Sequence, residues 1–76
     1  MKAVLEVIVR GLVDEPDRVR IRESVSGSRV TYDISVSERD LGKVIGRDGR
    51  IANALRTVAS ALAARQNREA QVEIES

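Results

Sequence analysis

The stretch Leu41-Gly42-Lys43-Val44-Ile45-Gly46-Arg47-Asp48-Gly49-Arg50-Ile51 decides how this chain reads. Gly46 and Gly49 bracket the charged pair Arg47-Asp48, with apolar residues close on both sides. Glycine has no Cβ, so the backbone can turn sharply there and another backbone can come close. A charged pair held between two such residues is exposed by construction. A helical pattern follows, with Ile51, Leu55, Val58 and Leu62 marking one face. The amides of that helix N-terminus therefore face the same point as Lys43, Arg47 and Arg50. Exposed amides, a helix dipole and several cations together suit a phosphate.

Gly-x-x-Gly alone is also an ordinary turn between helices, so the flanking chain has to carry the interpretation. Just upstream, Ser37-x-x-Asp40 has the form of a capping box opening a short helix through Val44 or Ile45. Downstream the second helix runs to about Gln66. Ala52, Ala54, Ala59, Ala61 and Ala63 suit close approach to a sheet or partner, and Asn53, Arg56, Thr57 and Ser60 lie largely on the other side. Asn67 is a helix stop, since asparagine tolerates the left-handed conformation. Ala70, Val72 and Ile74 then alternate with Gln71, Glu73 and Glu75 as a strand. Before the short helix, Arg18 to Val25 and Arg29 to Val36 alternate around Ser26-Gly27, with Val19, Ile21, Val30, Tyr32, Ile34 and Val36 inward. That is a β-hairpin with one wet face, whose arginines are by default solvated. Ala3 to Val13 spaces Val4, Leu5, Ile8, Val9 and Leu12 as a helix, with Glu6 and Arg10 paired four apart. Its β-branched content keeps a strand as the alternative. Glu15-Pro16-Asp17 breaks it.

The order is α-β-β-α-α-β, an α+β domain with a three-stranded sheet covered on one face by three helices. Seventy-six residues make one domain, 1–76. Cysteine and histidine are absent, which excludes disulfides, thiolate chemistry and zinc sites built from the usual ligands. It agrees with a cytoplasmic protein. No stretch approaches the length of a membrane span, and Glu6 and Arg10 interrupt what a signal peptide would keep apolar. The net charge of +1 is segregated: Arg18, Arg20, Arg22 and Arg29 on the hairpin, and Lys43, Arg47, Arg50, Arg56 and Arg65 around the loop and second helix. Asp14, Glu15, Asp17, Glu69, Glu73 and Glu75 fall elsewhere. Such a distribution can steer an anion to one face.

The helix, Gly-x-x-Gly, helix arrangement, with Val44-Ile45 before it and Ile51 after it, resembles the KH domain. There the loop clamps the backbone of about four nucleotides of single-stranded nucleic acid. The element order looks like the type II KH fold, and the resemblance covers the chain from end to end. The Gly42-Lys43-Val44-Ile45-Gly46-x-x-Gly49-Arg50-Ile51-Ala52 run, with Met1 starting the first helix, looks most like the small stand-alone bacterial KH proteins of the KhpA type. Two departures from the family pattern stand out. Ala52 occupies a position expected to be larger and apolar, with Ile51 one place earlier. Asp48 is acidic in a phosphate-facing loop, where it is placed to cap the following helix. The resemblance implies single-stranded RNA as ligand and an RNA chaperone or regulator as role. It implies pairing with a second copy or with a larger KH-containing RNA-binding protein. The implied RNA contacts are Gly42, Lys43, Val44, Ile45, Gly46, Arg47, Asp48, Gly49, Arg50, Ile51 and Asn53. No cofactor, metal or catalytic residue is implied.

Rival readings fare worse or overlap. The stretch matches neither Gly-x-x-x-x-Gly-Lys-[Ser/Thr] nor Gly-x-Gly-x-x-Gly, and it joins helix to helix, where those motifs join strand to helix. Without histidine or cysteine, acid–base and nucleophilic catalysis lack their usual groups. Tyr32 is the sole aromatic and points inward, so a stacking platform is unavailable. A protein–protein module, dimerising through the alanine-rich helix, remains as the second reading.

Overall fold

The computed structural model describes residues 2–76; the expectation that Met1 starts the first helix lies outside them. The chain forms α1 (Lys2–Leu12), β1 (Arg20–Ser26), β2 (Arg29–Ser35), α2 (Leu41–Ile45), α3 (Arg50–Ala64) and β3 (Glu69–Glu75), the order expected from the sequence. Short 3₁₀ turns precede β1 (Pro16–Arg18), α2 (Glu38–Asp40) and α3 (Arg47–Gly49). Arg18 therefore belongs to a turn that Pro16 opens, and not to the first strand.

The sheet is mixed. β1 pairs antiparallel with β2, with Ile21 opposite Ile34. β2 pairs parallel with β3, with Tyr32 opposite Val72. The period-2 alternation sends Ile21, Val30, Tyr32, Ile34 and Val72 to one face, where α1 contributes Leu5 and Val9 and α3 contributes Leu55, Ala59 and Ala63. Tyr32 is fully buried and its hydroxyl has no partner among the described residues. Burial first, and the Glu23 carboxylate opposite it second, push its pKa up to about 12, against the pull of Arg68.

Two expectations are corrected. The buried stripe of α3 is Ala52, Leu55, Ala59 and Ala63, while Ile51, Val58 and Leu62 sit half-exposed on its shoulder. Three alanines let the helix lie close to the sheet, so the small residues, and not the large ones, mark the inward line. Ala54 and Ala61 face solvent. The capping box is also absent. The Ser37 hydroxyl makes no cap bond, and the Asp40 carboxylate is committed elsewhere, as described below. Asn67 does end α3, at φ 58°. Arg68 N–H donates to the Ala63 carbonyl and Asn67 N–H to that of Ala64, each at 3.0 Å, the paired bonds of a Schellman motif. Among the described residues no helix is long and apolar enough to cross a membrane, and no cluster of acidic side chains could hold a metal.

Candidate nucleic-acid interface

The loop between α2 and α3 is fixed by its backbone. Gly46 N–H closes α2 on the Gly42 carbonyl at 2.9 Å, and Gly49 N–H returns to the Gly46 carbonyl at 3.2 Å. Gly46 adopts φ 76°, ψ 174°, a region essentially closed to other residues. A Cβ there would also lie 2.7 Å from Ile51 Cγ1 and 3.0 Å from Ile51 Cβ. Gly49 is left-handed at φ 74°, with open space where its Cβ would be. Gly46 is thus required by both conformation and close approach, Gly49 by conformation alone.

Asp48 is left-handed too, at φ 55°, ψ 26°. It makes no cap bond to α3, which corrects the expectation that it caps. Its fitness for the position lies in the tolerance of aspartate for this conformation. Asp48 and Gly49 are thus two consecutive left-handed residues. Among the described residues nothing accepts from the amides of Arg47 or Asp48. The first turn of α3 has no acidic side chain and its N-terminus no side-chain cap, so its dipole adds to those amides.

The expected site residues separate on burial. Gly42, Ile45, Arg47, Asp48, Arg50 and Asn53 are exposed, and Gly46, Gly49 and Ile51 are half-buried. Val44 is fully buried in the core, so it supports the loop from beneath and cannot itself touch a ligand. Ile45, 37% exposed, and Ile51 remain as apolar surface beside the loop. Asn53 Oδ1 accepts from Arg56 at 3.0 Å. Among the described residues Arg47 and Arg50 make no ion pair, which leaves both guanidinium groups available.

Lys43 is placed differently. Its ammonium donates to the Asp14 carboxylate and lies 3.8 Å from that of Asp40. The Asp14 bond holds its pKa above the ordinary value, against burial. It thus reaches the α1–β1 linker. The sequence reading missed Asp40 as the centre of this arrangement. Asp40 is 1% exposed, and its two carboxylate oxygens accept the backbone N–H groups of Asp14, at 3.1 Å, and Glu15, at 3.0 Å. Burial pushes its pKa up, but those two amides and Lys43 outweigh it and hold the carboxyl below its ordinary 3.8. The linker is thereby tied to the residue that immediately precedes α2. The i, i+3 spacing of Asp40 and Lys43 was readable; the partners more than twenty residues away were not.

Asp40→Asn is expected to lower thermal stability, because one amide oxygen cannot serve two donors and the NH₂ group faces the second N–H. The sign with pH follows from the lowered pKa. The contribution of Asp40 is complete above 3.8 and is lost as pH falls through the depressed native value. Melting curves of wild type and variant should converge as pH falls below 3.8. A constant offset would show that the ionised carboxylate is not what holds the linker.

The chain matches known proteins over nearly its whole length. Residues 2–74 match the family described as KhpA/KhpB, KH domain. The chain is 43% identical to the RNA-binding protein KhpA of Clostridium perfringens, over 97% of this chain and 99% of the relative. It is 45% identical to the KhpA of Clostridium acetobutylicum, over 97% and 99%. Identity to that of Halalkalibacterium halodurans is 45%, over 97% of each chain. No solved structure matches it.

Proposed function

The chain belongs to the KhpA/KhpB KH-domain family, which is one of RNA-binding proteins and not of enzymes, and on that premise we propose that it binds single-stranded RNA through the Gly46–Gly49 loop. The phosphate backbone rests on the free amides of Arg47 and Asp48 between the guanidinium groups of Arg47 and Arg50. One or two unpaired bases lie against Ile45 and Ile51. The role is that of a cytoplasmic RNA chaperone or regulator working alongside a second KH-containing chain, since a four-nucleotide footprint binds weakly and gains from avidity. The observation that supports this reading is the loop conformation: two left-handed residues in succession, unpaired amides and uncommitted arginines at one tip.

A salt series tests it. With Lys43 held by Asp14 and Asp40, two cations remain, and each phosphate neutralised on a single strand contributes a slope of about −0.7 in log affinity against log salt. The expected slope is roughly −1.4. Arg50→Ala should make it shallower by about 0.7 and weaken different sequences alike, as a positioning contact does. Asp48→Asn should strengthen binding, most at low salt, where screening is weakest. A flat dependence in all three proteins would sink phosphate recognition by this loop and leave a protein-interaction module as the reading.

A further inference from the structure

Lys43 is the cation of the 41–51 stretch that the fold has already engaged. Arg47 and Arg50 make no ion pair among the described residues. The Lys43 ammonium, by contrast, donates to Asp14 Oδ2 and stands 3.8 Å from Asp40 Oδ1. Its place in the chain is otherwise that of a phosphate contact. It sits on α2 three residues before Gly46, whose N–H still closes that helix, so about 4.5 Å of helix axis separates it from the loop. A lysine ammonium is a point charge on a flexible four-carbon stem, long enough to serve either Asp14 or an anion at the loop. While it is paired with a carboxylate, it offers an approaching phosphate no net charge.

The two carboxylates that meet Lys43 have different parts. Asp40 is buried, and its two oxygens accept the backbone N–H groups of Asp14 and Glu15. It is committed to the linker whatever Lys43 does. The Asp14 side chain is 77% exposed, and among the described residues Lys43 is its only hydrogen-bond or ion-pair partner. Its backbone is nevertheless fixed, because Asp14 N–H is one of the two that Asp40 holds, at 3.1 Å. An exposed pair of this kind adds little to stability. What it does is withdraw a charge one helical turn from the place where an anion is to bind. We infer, on the reading of the 46–49 loop as the RNA site, that Asp14 regulates that site by holding Lys43 out of it. The loop then engages two phosphates where its neighbouring cations could engage three. Asp40 acts behind Asp14 as a positioning residue. The pair keeps affinity low and release fast, since differences of this size appear mostly in dissociation.

Loss of any nearby carboxylate favours an anion, so the effect of the charge and the release of Lys43 have to be separated. Asp14→Asn keeps the backbone N–H that Asp40 holds, and Glu15→Gln changes the net charge equally at a residue with no ion pair among the described residues. With a labelled single-stranded RNA, Asp14→Asn is expected to raise affinity about two- to fivefold at low salt. It should also steepen the salt slope from roughly −1.4 to about −2.1, one phosphate more. Glu15→Gln should leave the slope at roughly −1.4. Lys43→Ala should leave the wild-type slope unchanged and, combined with Asp14→Asn, cancel the gain. A second measurement needs no RNA. The chain has two lysines, Lys2 and Lys43, so an NMR titration of isotope-labelled lysine side chains resolves Lys43. Its pKa, held above the ordinary value by the Asp14 bond, should fall in Asp14→Asn. A slope still near −1.4 in that variant, with the Lys43 pKa lowered, would overturn the inference and leave the RNA reading standing. So would a Lys43→Ala slope as shallow as that of Arg50→Ala, because Lys43 would then already touch phosphate in the wild type. A Lys43 pKa indifferent to Asp14→Asn would show that there is no hold to release. A flat salt dependence in every variant would instead remove the RNA reading, and this regulation with it.

Discussion

Gly46→Val is expected to lower the melting temperature by ~15 °C, the largest stability effect of any single change in the loop. Two costs combine. The φ 76°, ψ 174° conformation carries strain of about 1–3 kcal/mol for a residue with a Cβ. The new side chain would also overlap Ile51, whose Cγ1 stands 2.7 Å from the Cβ position, and overpacking costs about 1–3 kcal/mol. Together they come to ~3 kcal/mol, and each kcal/mol moves the Tm of a domain this size by about 4–8 °C. Gly49→Ala carries only the left-handed term, about 1–2 kcal/mol, since its Cβ would meet nothing. Thermal unfolding of both variants, and of Gly46→Ala with and without Ile51→Ala, separates the terms. If Ile51→Ala relieves none of the Gly46→Ala loss, the contact with Ile51 contributes nothing and conformation alone explains the glycine.

The largest effect on binding is expected from Arg47→Asp, which should weaken affinity for single-stranded RNA at least tenfold, roughly 1.4 kcal/mol. The substitution removes one of two uncommitted guanidinium groups and sets a second carboxylate beside Asp48, at the point where the amides of residues 47 and 48 are offered. Arg47 is exposed, and surface substitutions away from special features stay within about 0.5 kcal/mol of wild type in stability. Anisotropy titration of a labelled oligonucleotide, with circular dichroism in parallel, reads both quantities. Unchanged affinity in a folded variant would move the RNA site away from this loop.

The strands and the loop were legible because they rest on local pattern. Alternation at Val30, Tyr32 and Ile34 fixes their face whatever surrounds them, and Gly-Arg-Asp-Gly marks a tight turn by its backbone needs. What stayed hidden depends on partners distant in sequence. Hydropathy placed the inward line of α3 on Ile51, Leu55, Val58 and Leu62, of which Leu55 alone is buried; Ala52, Ala59 and Ala63 are suited to close approach, but so are Ala54 and Ala61, which face solvent. Val44 and Ile45 are adjacent and alike in type; only the fold shows that the first is core and the second surface. The ion pair of Lys43 was hidden because Asp14 is far off in the chain, and Asp40 looked like a helix cap because the Asp14 and Glu15 amides are equally far.

The mixed sheet also orders the events by which the chain folds. β1 and β2 meet across a two-residue turn and can pair by local search. β2 and β3 run parallel, with Val30 beside Ala70, so this pairing must close a long loop that holds α2, the glycine loop and α3. Closing it has an entropic cost that only the finished sheet repays. The segment proposed to face RNA thus lies inside the slowest-closing part of the topology, the part that sets the folding rate in domains rich in nonlocal pairings. A nascent chain that has not yet released β3 has its hairpin but no parallel ladder to brace α3, so the proposed RNA site is complete only with the last seven-residue strand.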